Sequence, residues 1–136
     1  YDWRWYVDTV LGAQFIGHTY SPQFPQGVVE VAEPAHPAMR PLPARWHREE
    51  EWYAFDRVPT GHGTRILARL DEGSYAPEPG QRMGDHPVVW TRCIGQGRVF
   101  YSALGHKAET YSEPFHLRMI DGALGWAAEA RRDGCD

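Results

Sequence analysis

Two histidines that each follow a glycine are the residues best suited to proton-transfer chemistry in this sequence. Each glycine closes an apolar segment, Phe15–Ile16 before His18 and Val99–Leu104 before His106. In open α/β sheets, ligands bind beyond the carboxyl ends of strands, and imidazole there can act as a general base near neutral pH. Glu109, three positions after His106, could orient that ring. The alternative is that His106 caps a turn and Glu109 is solvated.

The five other histidines carry weaker signals. His36 and His86 each precede proline, which forces the preceding residue into extended geometry, so we interpret them as structural. His62 lies between two glycines and is predicted to be a turn residue. His47 lies among charged residues, and His116 is predicted to face the polar side of a helix. Because neither HxH nor HExxH occurs, the sequence predicts no metal site.

Composition limits the class of protein. The chain has 136 residues, 42% of them apolar, and a formal net charge of −4, so it can bury a core and has no excess of basic residues for nucleic acid. No apolar run is long enough to span a membrane. Cys93 and Cys135 lack CxxC spacing, which argues against a zinc knuckle or a disulfide framework and favours a reducing, cytoplasmic compartment.

The elements that must position the histidines are two helices and several strands. A helix that carries Val7, Val10 and Leu11 is predicted to stop at Gly12. The other helix is predicted from about Glu113 to Arg131, with Ser112 as its N-cap, Pro114 in its first turn and a buried stripe of Leu117, Ile120, Leu124 and Ala127.

Strands are predicted where apolar residues alternate or cluster between turn signals. A hairpin turned by Gly95–Gly97 is the strongest of these patterns, and Cys93 within it is predicted to be buried. The predicted strands are Gly27–Glu33, Glu51–Phe55, Thr64–Leu70, His86–Ile94 and Arg98–Leu104. This mixture of strands and helices predicts an α/β protein.

Four stretches resemble one family in the same order along nearly the whole chain. They are LGAQFIGH, AHPAMRPLPARW, EEEWYAF and the long segment from HPVVW to LGWAAE. Together they are similar to the C-terminal part of ThuA-like domains, the trehalose-utilisation family. Because the chain opens on Tyr1 inside a helical pattern, we expect residues 1–136 to be a C-terminal fragment of such a domain that lacks its N-terminal strands.

The resemblance implies a flavodoxin-like fold, a three-layer sandwich similar to that of the class I glutamine amidotransferases. In those enzymes a catalytic histidine and glutamate follow a late strand, and His106 and Glu109 occupy a similar place here with longer spacing. The elbow that carries the nucleophile would lie in the absent N-terminal half. A glutaminase mechanism is therefore not expected.

The resemblance also implies a role in carbohydrate utilisation, with trehalose-type or 3-keto disaccharides as substrates. A keto group acidifies the neighbouring C–H, so acid–base chemistry could drive elimination, isomerisation or hydrolysis. His106 could serve as base or acid, Glu109 as its orienter and His18 as a second proton-transfer or hydroxyl-binding group. Trp52, Tyr53 and Tyr111 are expected to contact the sugar.

The alternatives are a non-catalytic sugar-binding or regulatory module and a metal-dependent hydrolase. We expect no cofactor, no nucleic-acid partner and no membrane partner. The oligomeric state is left open, with a homo-oligomer among the options.

Overall fold

A five-stranded antiparallel sheet forms the centre of the computed structural model, which describes residues 2–129 and Cys135. Its strand order is β3-β2-β5-β6-β7, and β1 and β4 form a separate antiparallel pair. The strands are β1 (Phe15–His18), β2 (Gln26–Val31), β3 (Arg45–Glu49), β4 (Tyr53–Phe55), β5 (Arg65–Asp71), β6 (Pro87–Ile94) and β7 (Gly97–Ser102). A π-helix (Tyr6–Leu11), a 3₁₀ helix (Ala108–Ser112) and helix α1 (Pro114–Ala128) complete the described chain. None of the described helices has the length and apolarity needed to cross a membrane.

The predicted α/β class is confirmed, with a sheet and helices in one small domain. Every strand pairing among the described residues is antiparallel. The parallel strands expected of a flavodoxin-like sandwich are therefore not among the strands of this part of the chain.

Strand β6 lies at the centre of the core because both of its faces are covered. Seven consecutive residues from Pro87 to Cys93 are buried, a pattern typical of a strand packed on two sides. The π-helix contacts β6, and the indole N–H of Trp90 donates to the Leu11 carbonyl at 2.9 Å. The predicted stop of that helix is confirmed at Gly12, which adopts a left-handed φ of 86°.

Helix α1 buries a different face from the one predicted. The buried residues are His116, Met119, Ala123 and Trp126, whereas Leu117 and Leu124 are exposed. Gly122 helps to fix this orientation, because a Cβ at that position would lie 2.5 Å from the Pro37 carbonyl oxygen. The predicted N-cap is also wrong by one residue: Glu113 occupies that position, with Pro114 in the first turn as predicted. The predicted helix end at Arg131 lies outside the described residues.

The prediction that the two cysteines are unpaired is wrong. Cys93 and Cys135 form a disulfide across a sequence separation of 42 residues, with their Cα atoms 5.4 Å apart. Cys93 is buried in β6, as predicted, at 8% exposure. The spacing of the cysteines could not reveal the pair, because only the tertiary structure brings Cys135 back to β6. The cysteines therefore give no support for a reducing compartment.

We expect Cys135→Ser to lower the free energy of unfolding by about 2–4 kcal/mol, because the disulfide restricts the unfolded chain. Urea unfolding followed by circular dichroism measures the loss. Wild-type protein in excess dithiothreitol should match the variant. Two titratable thiols in wild-type protein that was denatured without reductant would contradict the disulfide.

Candidate functional site

Among the described residues, His106 and Glu51 form a short imidazole–carboxylate contact in which the imidazole is exposed to solvent. Glu51 immediately precedes the short segment that leads into β4, and His106 follows β7. The Nδ1 atom of His106 lies 2.7 Å from Oε2 of Glu51. The glutamate side chain is only 4% exposed, whereas that of the histidine is 41% exposed. A buried carboxylate therefore holds a ring whose other edge can meet a ligand.

His18 approaches the same carboxylate from β1. Its Nδ1 lies 3.5 Å from Oε1 of Glu51 and 2.8 Å from the Thr19 carbonyl, to which it donates. The Gln23 amide donates to the same Oε1 at 2.6 Å. The two histidines predicted from the glycine–histidine pattern thus meet at one glutamate, although they are 88 positions apart in the sequence.

Glu50 fixes the backbone on both sides of this contact. Its fully buried carboxylate accepts from the N–H groups of Gly105 at 2.8 Å and of His106 and Glu51 at 3.2 Å. The buried guanidinium of Arg48 donates to it at 2.8 Å. One carboxylate therefore ties the loop that carries His106 to the segment that carries Glu51.

Tyr53 completes the cluster from β4. Its hydroxyl lies 3.4 Å from Nδ1 of His106, and its ring packs edge-on against Phe15 at 4.8 Å. His86 supports this strand: Nε2 donates to the Tyr53 carbonyl at 2.9 Å, and Nδ1 lies 2.8 Å from Glu72. Burial alone would raise the pKa of Glu72, but bonds from the Met83 N–H and His86 outweigh it, so that this pKa is lowered.

Three predicted site residues lie elsewhere. Trp52 is 2% exposed and its indole N–H donates to the Pro25 carbonyl, so the ring belongs to the core and offers no open face to a sugar. Glu109 lines a separate cleft, and Glu51 is the carboxylate that contacts His106. Tyr111 is exposed, and its hydroxyl lies so close to Gly105 that a Cβ added to this glycine would be only 2.8 Å from it. Tyr111 therefore restricts the loop before His106.

The sequence contained one signal for the missed glutamates. Glu49, Glu50 and Glu51 are consecutive, and a run of three acids beside Trp52 is unusual for a segment that enters a core strand. The last two are 0% and 4% exposed. Buried carboxylates need partners, and here the partners are backbone N–H groups, an arginine and two histidines. Pattern analysis could not separate these two from the exposed Glu49.

The histidines interpreted as structural are buried. His36 and His86 are 4% and 1% exposed. His116, predicted to face the polar side of its helix, is 1% exposed, so that prediction is wrong. Burial, with Arg48 nearby, lowers the pKa of His116. Burial is also the main cause that lowers the pKa of His36 to about 4, and Arg65 adds to it.

Stability should fall as the pH drops from 6.5 to about 4. Because the pKa of His36 is depressed in the folded state, the unfolded chain binds more protons in that window, and acid favours unfolding by up to about 3 kcal/mol. Urea unfolding at several pH values measures the slope. His36→Gln should flatten the curve, and the exposed control His62→Asn should not. An unchanged slope in His36→Gln would contradict this assignment.

No group of three or more histidine, cysteine, aspartate or glutamate side chains in residues 2–129 and Cys135 has the arrangement to hold a metal ion. The described cluster by itself offers an oriented imidazole, a second imidazole and a phenol.

The fold and the site define an α/β domain that presents a carboxylate-oriented histidine to solvent. The chain belongs to the trehalose utilisation (ThuA) family, whose model matches residues 1–127. Among curated proteins, none matches significantly.

Two crystal structures of ThuA-like proteins share the fold. The protein from Bacteroides uniformis is 23% identical, with a TM-score of 0.78 over 98% of this chain and 55% of its own. The protein from Parabacteroides merdae is 24% identical, with a TM-score of 0.54 over 88% of this chain and 42% of its own. This chain therefore spans about half the length of these relatives.

Proposed function

We propose that this protein acts on trehalose-type or 3-keto disaccharides by acid–base chemistry at His106. The observation that carries the proposal is the 2.7 Å contact between the buried Glu51 carboxylate and Nδ1 of the exposed His106 ring. Membership of the trehalose utilisation family supports a sugar as substrate. Glu51 replaces Glu109 in the role of orienting carboxylate.

The contact supports different roles for the two ring nitrogens. Nδ1–H donates to Glu51, which leaves the Nε2 lone pair to accept a proton. The carboxylate also stabilises the imidazolium that forms, as in other carboxylate–histidine pairs. Glu50 keeps the ring in place through the backbone N–H groups of Gly105 and His106.

A 3-keto sugar needs only this kind of catalysis for elimination. His106 Nε2 removes the proton from the carbon between the ketone and the anomeric carbon, and the C–H electron pair forms a carbon–carbon double bond. The glycosidic C–O bond then breaks, and a second group, which acts as an acid, protonates the departing oxygen. His18 and Tyr53, which lie at the same cluster, are the candidates for that acid. Isomerisation uses the same first proton transfer, with the proton returned to a neighbouring atom.

The rest of a sugar pocket around His106 would come from another part of the domain. We propose that the flavodoxin-like sandwich expected from the family includes parallel strands supplied by the portion of the relatives that this chain does not span. The elbow residue of that portion would then face His106.

The decisive experiment follows 3-keto-trehalose by ¹H NMR in the presence of the full-length protein. Elimination gives a new vinylic signal and free glucose. Binding without turnover would instead assign a sugar-binding or regulatory module. Turnover that is lost with chelator and restored by one metal would assign a metal-dependent hydrolase.

A further inference from the structure

A cleft that His106 does not line lies between β3, the 3₁₀ helix and the first turn of α1. Its volume is about 850 Å³, within the range of small-molecule sites. The ion pair between Lys107 and Glu49, with Nζ and Oε2 3.0 Å apart, forms part of its wall. The neighbouring residues His106 and Glu50 belong to the site described above. The two sites are therefore adjacent along both chain segments.

Arg48 lines this cleft and carries two buried nitrogen atoms that make no hydrogen bond to the described residues. Its side chain is 3% exposed, and Nη2 donates to Glu50 at 2.8 Å. Nε and Nη1 have no hydrogen-bond partner among the described residues, although Nη1 lies 3.5 Å from Glu113. Buried donors without partners are costly. Both atoms have almost no exposed surface, so a ligand oxygen in the cleft would accept from them only after a rearrangement of the lining.

The lining charges select against an anion. Arg48 and Lys107 are opposed by three carboxylates, Glu49, Glu109 and Glu113, which leaves the lining with one excess negative charge. The hydrogen bond from Lys107 lowers the pKa of Glu49, so that this acid stays ionised. A phosphate or carboxylate would meet three like charges, whereas hydroxyl groups can donate to the carboxylates and accept from the Lys107 ammonium.

An aromatic side chain adds an apolar contact. Phe115, in the first turn of α1, is 40% exposed and lines the cleft, with its ring packed edge-on against Trp46 at 6.3 Å. Partly exposed rings offer a flat face to C–H groups. An aromatic face beside mixed donors and acceptors matches a neutral, polyhydroxylated ring.

We propose that this cleft binds a neutral sugar ring, with the lining carboxylates and Lys107 bonded to its hydroxyls and Phe115 against its C–H face. The choice of a sugar rests on the proposed function. The Arg48–Glu50 pair then links the cleft to His106, because Glu50 also accepts from the backbone N–H of that residue.

The test titrates ¹⁵N-labelled full-length protein with trehalose and with glucose. We expect chemical-shift changes at the Trp46 indole and at residues 107–115. Phe115→Ala should weaken binding about tenfold, equivalent to about 1.4 kcal/mol, and Glu109→Gln should weaken it by a similar factor. The matched control is Leu117→Ala, a similarly exposed side chain on the same helix that lies outside the cleft lining. It should bind like the wild type.

Several results would overturn the cleft assignment. One is the absence of chemical-shift changes at the highest soluble sugar concentration, and another is changes confined to His18, Tyr53 and His106. Unchanged affinity in both cleft variants, or cleft shifts produced by inorganic phosphate instead of sugar, would also contradict it. His106→Asn separates the two proposals, since it should abolish turnover and leave cleft binding intact. Cleft binding without turnover in the wild type supports the cleft and refutes the proposed chemistry.

Discussion

His106→Asn is expected to lower the turnover of a 3-keto disaccharide by about 10²–10⁴-fold, the usual contribution of a general acid or base. Asparagine preserves hydrogen bonding near the Nδ1 position, where the ring meets Glu51 at 2.7 Å, but cannot accept a proton. Because the side chain is 41% exposed, the substitution should leave the fold unchanged. Initial rates from ¹H NMR, together with far-ultraviolet circular dichroism, measure both effects.

Two further variants sharpen this result. Glu51→Gln keeps the shape of the orienting group but removes its charge, so it should lower turnover through the same imidazole and shift the pH–rate profile. Glu109→Gln should have a smaller effect. His62→Asn is the matched control, because His62 is an exposed turn residue with a left-handed φ of 50° that asparagine tolerates. Full turnover in His106→Asn would show that His106 is a turn residue without a catalytic role.

Glu50→Leu is expected to cost about 3–5 kcal/mol of folding free energy, the usual result when one partner of a buried ion pair is removed. The substitution leaves the guanidinium of Arg48 buried and deprives the N–H groups of Glu51, Gly105 and His106 of their acceptor. Urea unfolding measures the loss.

The neighbouring Glu49→Gln is the control for Glu50. The bonds of Glu49 to Lys107 and Gln26 are exposed and screened by solvent, so its loss should cost far less stability than the loss of Glu50. If Glu50→Leu does not fold, Glu50→Gln still tests the role. An amide keeps one acceptor, so faster hydrogen exchange at the amides of Gly105 and His106 is expected. Exchange and stability equal to the wild type would contradict the positioning role.

Most strands could be predicted because their signals are local. The hairpin of β6 and β7, with its exposed turn at Gly95–Gly97, follows from apolar runs separated by glycines. β3 was missed because it follows a proline-rich segment and consists largely of charged residues, although its burial alternates as in an edge strand. The buried face of α1 was predicted wrongly because small and large apolar residues occur on all sides of this helix. Its orientation depends on the close approach of Gly122 to Pro37.

The sequence by itself determined the family, the α/β class and the two histidines, because each is written in contiguous residue types. Only the tertiary structure decided which carboxylate serves them. Glu51 lies 33 positions from His18 and 55 from His106, and it reaches both through the pairing of β1 with β4 and through the backbone bonds of Glu50. The Cys93–Cys135 disulfide was likewise decided by the fold. Contacts between distant residues arise from packing and strand pairing, and the spacing of residues along the chain does not reveal them.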